Sequence, residues 1–96
     1  MNTSFTFVSS ARSISGRKGI AESHGVEPAI PFSAPPEFQG EAGIWTPEHF
    51  FLSAIASCFV ATFEAIARVS DFQFSALSVV AEGIVEKVDG RLNFRR

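Results

Sequence analysis

Cys58 is the only cysteine in the 96-residue chain, and its thiol is the sequence's best candidate for a nucleophile. It lies in TPEHFFLSAIASCF, a stretch with almost no charge that runs from Thr46 to Phe59. A thiolate attacks electrophiles and is readily oxidised, so this residue could carry redox chemistry. A lone cysteine in an apolar helix is also typical of an inert packing residue. The residues alone leave both interpretations open.

A reactive thiolate needs a cation close to it, and three cations lie near the N-terminus. These are Arg12, Arg17 and Lys18, residue types that are usually solvated loop charges. Arg17 is the better candidate for an ordered role, because Gly16 and Gly19 flank it and permit a close approach of the backbone. The sequence does not decide between Arg12 and Arg17 as the active-site arginine.

Glu48 is the acidic candidate, and it precedes Cys58 by ten residues. A carboxylate in the first turn of a helix also interacts favourably with the helix dipole, without any role in catalysis. Ten helical residues span about 15 Å, so the two side chains cannot touch on one straight helix. A site that contains both needs Cys58 from a second subunit, or an intermediary between them.

The two histidines, His24 and His49, lack metal-ligand spacing with another histidine, cysteine or carboxylate. The sequence also has no HExxH, CxxC or glycine-rich phosphate loop. We therefore expect neither a metal nor a bound cofactor.

Composition limits the classes of function. Apolar residues make up 46% of the chain, which is typical of a globular protein, and the net charge of −2 gives no electrostatic reason to expect a nucleic-acid partner. No signal-peptide pattern opens the sequence, so a cytoplasmic location is expected. The uncharged run from Phe50 to Phe63 is shorter than the roughly 20 residues that span a bilayer, which favours a core helix and no membrane partner.

The N-terminal half has the patterns of strands and loops. Alternation of Phe5 and Phe7 predicts a strand over Thr3–Val8, and Val26–Phe32 predicts a second strand, placed at a sheet edge by its prolines. The segment Arg12–Ile20 is either a turn between strands or an irregular strand. Ser33–Ile44 is predicted to be a loop because prolines and glycines punctuate it.

A long helix is predicted from Pro47 to Val69, with Thr46 as its N-cap. Apolar residues cover almost its whole circumference, so we expect a buried helix, and burial against a second subunit because the chain is small. The chain then returns to strand from Leu77 to Val88 and turns at Asp89-Gly90 into a second strand. The predicted fold class is α+β, in one domain over residues 1–96 that looks incomplete at its C-terminus.

The segment PPEFQGEAGIWTPEHFFLSAIASCF resembles the OsmC/Ohr family, the osmotically inducible and organic hydroperoxide resistance proteins. The matching motifs are Pro47-Glu48 and, ten residues beyond the glutamate, Cys58-Phe59. The upstream GRKGIAES segment fits the family's arginine-glycine stretch. The similarity runs from about Gly16 to the end of the chain.

This resemblance implies an intertwined homodimer with its active sites at the subunit interface. It also implies thiol-dependent reduction of organic hydroperoxides, with Cys58 as the peroxidatic nucleophile. Arg17 would stabilise the thiolate and polarise the peroxide, and Glu48 would hold the arginine in place. An external thiol or dithiol would serve as the reductant.

The family's second, resolving cysteine lies on a C-terminal helix that has no counterpart in these 96 residues. The resemblance therefore implies that the intermediate is resolved by an external thiol, or by a part of a longer protein. Two other functions remain open at this point. One is a non-enzymatic dimer that binds apolar small molecules with Cys58 merely packed, and the other is an inactive fragment.

Overall fold

Three antiparallel strands form the N-terminal sheet in the computed structural model, which describes residues 3–88 and 91–94, with only the backbone for 87, 88 and 91–94. The strands are β1 (Ser10–Ser15), β2 (Lys18–Ser23) and β3 (Val26–Ser33), and β2 lies in the centre. The strand predicted over Val26–Phe32 is thus confirmed at a sheet edge. An edge tolerates its prolines, which cannot donate a ladder hydrogen bond.

A two-residue turn joins β1 to β2 and carries Arg17. Ser15 pairs with Lys18 across it, and Gly16 has φ 56°, the positive value that the first central residue of a tight hairpin turn requires. Of the two alternatives for Arg12–Ile20, the turn between strands is therefore correct. The consequence for the site is that Arg17 stands at a hairpin tip.

The strand predicted over Thr3–Val8 is wrong, because β1 begins only at Ser10. Residues 3–9 have no regular structure, and the side chains of Phe5 and Phe7 are 78% and 92% exposed. Alternation of apolar residues shows that a segment suits a sheet face, but a strand also needs a neighbouring backbone. Residues 8 and 9 contact β2 through side-chain hydrogen bonds, from the Ser23 hydroxyl to the Val8 carbonyl at 2.7 Å and from the Ser9 hydroxyl to the Glu22 carbonyl at 3.5 Å.

The predicted loop after β3 is confirmed, and at Gly40 its backbone passes very close to the start of the loop. A single 3-10 turn, Pro36–Phe38, interrupts it, and the amide of Gly40 donates to the carbonyl of Pro35 at 2.9 Å. A Cβ at residue 40 would overlap the carbonyl of Ala34 and lie 2.9 Å from the Pro35 oxygen. Only glycine fits at this point of the loop.

Gly40→Ala should therefore lower the free energy of unfolding by about 3 kcal/mol, because backbone atoms surround the added methyl group and cannot rotate away. Gly43→Ala is the matched control: Gly43 has φ 81° but open space around its Cβ position. Its substitution should cost only about 1 kcal/mol of backbone strain. Urea midpoints at one protein concentration measure both. Equal losses for the two variants would contradict the close approach at Gly40.

The long helix, α1, runs from Pro47 to Val69, as predicted. Its C-terminus closes with the amide of Phe72 donating to the carbonyl of Ala67 at 2.8 Å and that of Asp71 to Arg68 at 3.3 Å. Asp71 has φ 55°, the left-handed conformation of a Schellman cap, which glycine usually occupies. Phe63 then packs edge-on against Phe72 and Phe74, with ring centroids 6.4 and 5.2 Å apart.

The prediction that α1 is buried is not met within one chain. Ala67, 5% exposed, is the one buried residue of this helix. Large apolar side chains along it are about half exposed or more: Phe51, Ile55, Phe59 and Ile66. The apolar residues extend almost around the helix, and a chain of this size does not cover them; burial against a second subunit stays a prediction.

With 23 residues, α1 is long and apolar enough to cross a bilayer, although the uncharged run within it is shorter. Length and composition are the whole of that indication, and core helices of globular proteins share both properties.

A C-terminal hairpin consists of β4 (Val85–Val88) and β5 (Arg91–Phe94), paired antiparallel with Val88 opposite Arg91. The predicted hairpin is confirmed, and its Asp89-Gly90 turn lies outside the described residues. The prediction that the first strand starts at Leu77 is wrong. Residues 75–84 alternate in sequence but pair with no strand among the residues that the structure describes, and Val80 is 93% exposed.

By backbone contacts the chain divides into two units, Met1–Pro47 and Glu48–Arg96. The first unit contains the three-stranded sheet and the loop, and the second contains α1 from Glu48 onward and the hairpin. The expectation of one domain over residues 1–96, incomplete at its C-terminus, stays a prediction.

Candidate functional site

The three N-terminal cations differ in whether a carboxylate neutralises them. Arg12 Nε lies 2.9 Å from Glu22 Oε1 on the neighbouring strand, and Lys18 Nζ lies 3.2 Å from Glu41 Oε2 in the loop. Arg17 forms no ion pair with any residue in the described part of the chain. Its guanidinium therefore has its full charge available for another partner, which favours it over Arg12 as an active-site arginine.

These cations line one open pocket of about 340 Å³ in the first unit. Its apolar wall includes the ring of Phe32, which lies against Gly19 so closely that a Cβ there would be 2.6 Å from the ring. Two of its three charges are already compensated, so Arg17 carries the uncompensated charge of the pocket. The residues lining it are Ala11, Arg12, Ser13, Gly16, Arg17, Lys18, Gly19, Phe32, Ala34 and Pro47.

The backbone of Arg17 is fixed by the loop that follows β3. The amide of Ala34 donates to the Arg17 carbonyl at 3.1 Å, just beyond the point where Lys18 and Ser33 pair in the ladder. Ser33 is fully buried, at 0% exposure, and its amide donates to the Trp45 carbonyl at 2.9 Å. Sequence reasoning missed Ser33, since nothing in a Phe-Ser-Ala segment marks the serine as buried.

Cys58 lies exposed on α1. The thiol is therefore not packed within the single chain, for the same reason that the helix is uncovered, and the choice between a packing residue and a nucleophile stays open. Its Sγ lies 3.9 Å from Thr62 Oγ1, within reach of a weak sulfur hydrogen bond. Thr62 was not singled out from the sequence, although a spacing of four residues places it on the same side of a helix as Cys58.

Glu48 stands in the first turn of α1 and is half-buried. Its Oε1 atom is shielded from solvent and accepts no hydrogen bond from the residues that the structure describes. A buried, unsatisfied carboxylate oxygen is unfavourable by about 1–3 kcal/mol or more, so this atom needs a donor. A guanidinium is a suitable donor, because it forms strong charge-assisted hydrogen bonds to carboxylates.

Helical periodicity places both candidates of α1 on its apolar side. Cys58 follows Phe51 by seven residues and Glu48 precedes Phe59 by eleven, and both intervals return to within about 20° of the same direction. Phe51, Ile55 and Phe59 themselves form a stripe at four-residue spacing, which we call the apolar stripe. A molecule that covers this stripe therefore meets Cys58 and Glu48 as well.

The structure brings only some of the predicted site residues together. Arg12, Arg17 and Lys18 share a pocket in the first unit, whereas Glu48 and Cys58 belong to the second and stand ten residues, about 15 Å, apart on α1. The catalytic roles of Cys58, Glu48 and Arg17 stay predictions. Among the residues that the structure describes, no three histidine, cysteine or acidic side chains are grouped closely enough to hold a metal ion.

Comparison with known proteins identifies the family. Residues 40–95 match the sequence model of OsmC-like proteins, and no curated protein sequence gives a significant match. Among solved structures, the chain is similar to an organic hydroperoxide resistance protein OsmC from Legionella pneumophila. The TM-score is 0.74 at 22% identity, with 97% of this chain and 67% of that one covered, which supports the α+β fold. Because the family match spans more than half of its residues, the chain belongs to the OsmC-like protein family.

Proposed function

We propose that this protein is a thiol-dependent peroxidase that reduces organic hydroperoxides at Cys58. The observation that carries the proposal is a lone thiol, exposed in the single chain, on the apolar helix of an OsmC-like protein. The structurally similar Legionella pneumophila protein is an organic hydroperoxide resistance protein, which supports the same class of substrate. The cytoplasm, where thiol reductants are abundant, suits this chemistry.

The proposed reaction is a two-electron reduction of the peroxide. The Cys58 thiolate attacks the distal peroxide oxygen, a sulfur–oxygen bond forms and the oxygen–oxygen bond breaks. The alkoxide takes up a proton and leaves as an alcohol, and the cysteine becomes a sulfenic acid. One external thiol then forms a mixed disulfide with release of water, and a second thiol releases Cys58 and is oxidised to a disulfide.

Among the described residues, Arg17 and Glu48 each lack a partner of the kind that the other provides, and this supports their proposed roles. The guanidinium lacks a carboxylate and Glu48 Oε1 lacks a donor within the described chain. We infer that Glu48 holds Arg17 in a charge-assisted pair, and that Arg17 then stabilises the thiolate and polarises the peroxide. Since Glu48 and Cys58 are about 15 Å apart on one helix, a site containing both either draws them from two subunits or joins them through Arg17 as an intermediary.

A homodimer that covers the apolar stripe would complete this site. Phe51, Ile55 and Phe59 are 53%, 52% and 56% exposed, and burying the exposed half of each is favourable by about 1 kcal/mol, roughly half the value for a fully exposed side chain. A second copy of the chain has an equally apolar helix with which the stripe can pack. The Cys58 thiol and the Glu48 carboxylate, which lie on the same side of α1 as the stripe, would then lie at the interface.

Phe59→Glu should convert the protein from dimer to monomer, because it places a charge in the apolar stripe, which the proposed interface buries. Ser57→Glu is the control, since residue 57 lies on the opposite side of α1 and receives the same charge. Sedimentation equilibrium at micromolar concentration measures the mass of each variant. A monomeric wild-type protein, or a Phe59→Glu variant that stays dimeric, would contradict the proposed interface.

Turnover with a simple peroxide tests the function as a whole. Purified protein, tert-butyl hydroperoxide and excess dithiothreitol should yield one tert-butanol for each dithiol oxidised, over many turnovers per Cys58. Absence of turnover in a folded dimer would contradict the proposal. Binding of an apolar small molecule that survives Cys58→Ser would then favour the non-enzymatic alternative.

A further inference from the structure

We propose that the buried hydroxyl of Ser33 positions Arg17, and so controls the reactivity of a site to which it contributes no atom. This inference rests on the proposed function, because it assumes that Arg17 acts on the peroxide or the thiolate. Ser33 is a positioning residue in this sense and not a catalytic one. The proposal concerns the first unit alone, where all the contacts on which it depends are found.

The Ser33 hydroxyl joins two parts of the loop that follows β3. It donates to the carbonyl of Ala34 at 2.8 Å and accepts the amide of Glu41 at 2.9 Å. The residue has 0% exposure, and burial of a hydroxyl is unfavourable unless it is hydrogen-bonded in this way. A serine at the end of an edge strand is usually solvated, so its burial here indicates a specific structural task.

That task is to hold the loop against the Arg17 hairpin. The loop reaches this hairpin at two points: the Ala34 amide donates to the Arg17 carbonyl at 3.1 Å, and Glu41 Oε2 lies 3.2 Å from Lys18 Nζ. Ser33 Oγ bonds both Ala34 and Glu41, the loop residues that make these contacts. One hydroxyl therefore fixes the backbone at Arg17 and the side chain of the next residue.

Removal of the hydroxyl releases both loop residues together. In Ser33→Ala the Glu41 amide and the Ala34 carbonyl lose a partner, and the loop must move to satisfy them with water. The Arg17 carbonyl then loses its donor, the Ala34 amide, at the base of a long side chain that has no ion pair within the described residues. A displacement of about 1 Å in a catalytic group can slow a reaction by as much as about 100-fold.

A double-mutant cycle on the full chain tests the coupling. The rate constant for Cys58 oxidation by tert-butyl hydroperoxide, per mole of folded protein, is measured for wild type, Ser33→Ala, Arg17→Gln and the double variant. Ser33→Ala should lower it about 10- to 100-fold in the wild-type background and less than about twofold in the Arg17→Gln background. Ser23→Ala is the matched control, since Ser23 also donates to a backbone carbonyl, that of Val8, and should change the rate less than about twofold.

Three outcomes would overturn the proposal. An equal fall from Ser33→Ala in both backgrounds would mean that Ser33 supports only the fold. If Arg17→Gln slows oxidation while Ser33→Ala does not, the positioning role fails and the proposed function stands. If Arg17→Gln has no effect, the assumed role of Arg17 fails, and this inference with it.

Hydrogen exchange on the wild-type protein gives a test that does not depend on any variant folding. The amides of Ala34 and Glu41 should exchange at least about tenfold more slowly than unprotected amides, since each donates to a protein acceptor. Exchange of either amide at the unprotected rate would show that the link from Ser33 to Arg17 is absent, and would overturn the proposal.

Discussion

Cys58→Ser should reduce organic hydroperoxide consumption by about 10³-fold or more, to the rate of the dithiol alone. The thiolate is the group that forms the bond to oxygen, and a serine hydroxyl is far less nucleophilic at neutral pH. Because Cys58 is the only cysteine of the chain, no neighbouring thiol can replace it. The measurement is peroxide loss under saturating dithiol, normalised to folded dimer.

The matched control for this variant is Ser57→Ala. Ser57 is the adjacent residue on α1, and its hydroxyl donates to the Ala54 carbonyl at 3.3 Å, so its loss perturbs the same turn of the helix. Activity should stay within about twofold of wild type, as is usual for surface substitutions. Peroxide consumption that persists in folded Cys58→Ser would show that the chemistry lies elsewhere in the chain.

Arg17→Gln should lower the rate of Cys58 oxidation by about 100-fold. A guanidinium that faces the reacting oxygens stabilises the charge that develops as the oxygen–oxygen bond breaks, and loss of one such donor typically slows a reaction about 10²- to 10³-fold. Glutamine keeps a hydrogen-bond donor but removes the charge, so the variant isolates the electrostatic contribution. Oxidation kinetics with an organic hydroperoxide measure it directly.

Arg12→Gln is the matched control for this prediction. The two arginines line the same pocket, but Arg12 is engaged by Glu22 across β1 and β2. That exposed pair contributes at most about 1 kcal/mol to stability, so its loss should leave the oxidation rate within about threefold of wild type. A reversed result, with Arg12 essential and Arg17 dispensable, would exchange the two assignments.

Much of the second unit could be predicted from local chemistry. The helix starts where a threonine, a proline and a glutamate follow one another, and the apolar pattern sustains it to Val69. The Asp89-Gly90 pair placed the hairpin correctly, with β5 beginning at Arg91. Such signals lie within a few residues of the structure that they determine, so they can be interpreted without knowledge of the rest of the fold.

The errors arose where structure depends on distant partners. Thr3–Val8 and the residues from Leu77 to Ile84 both alternate like strands, but no strand of the described chain pairs with them. α1 is uncovered in the single chain for a similar reason, because an apolar helix indicates that something must cover it and not what does; its burial against a second subunit stays a prediction. Sequence periodicity indicates that a segment needs a packing partner. The identity of that partner is known only from the assembled structure.

The candidate site shows the same division. Residue type and spacing were sufficient to select Cys58, Glu48 and Arg17, and to show that the first two cannot meet on one helix. The pairing of Arg12 with Glu22 and of Lys18 with Glu41 could not be read from the sequence, because strand register and loop closure create both contacts. Closure of the same loop buries Ser33, and its proposed positioning role depends on that burial, which the sequence does not indicate.

The most direct test of the central claim is the rate at which Cys58 itself is oxidised. Dimeric wild-type protein is mixed with tert-butyl hydroperoxide or with hydrogen peroxide, quenched, and the Cys58 peptide is followed by mass spectrometry. We predict that one oxygen atom is added as a sulfenic acid, at least about 100-fold faster than for a free thiol, and faster with the organic peroxide than with hydrogen peroxide. A Cys58 in a folded dimer that reacts no faster than a free thiol would contradict the peroxidase function of this chain.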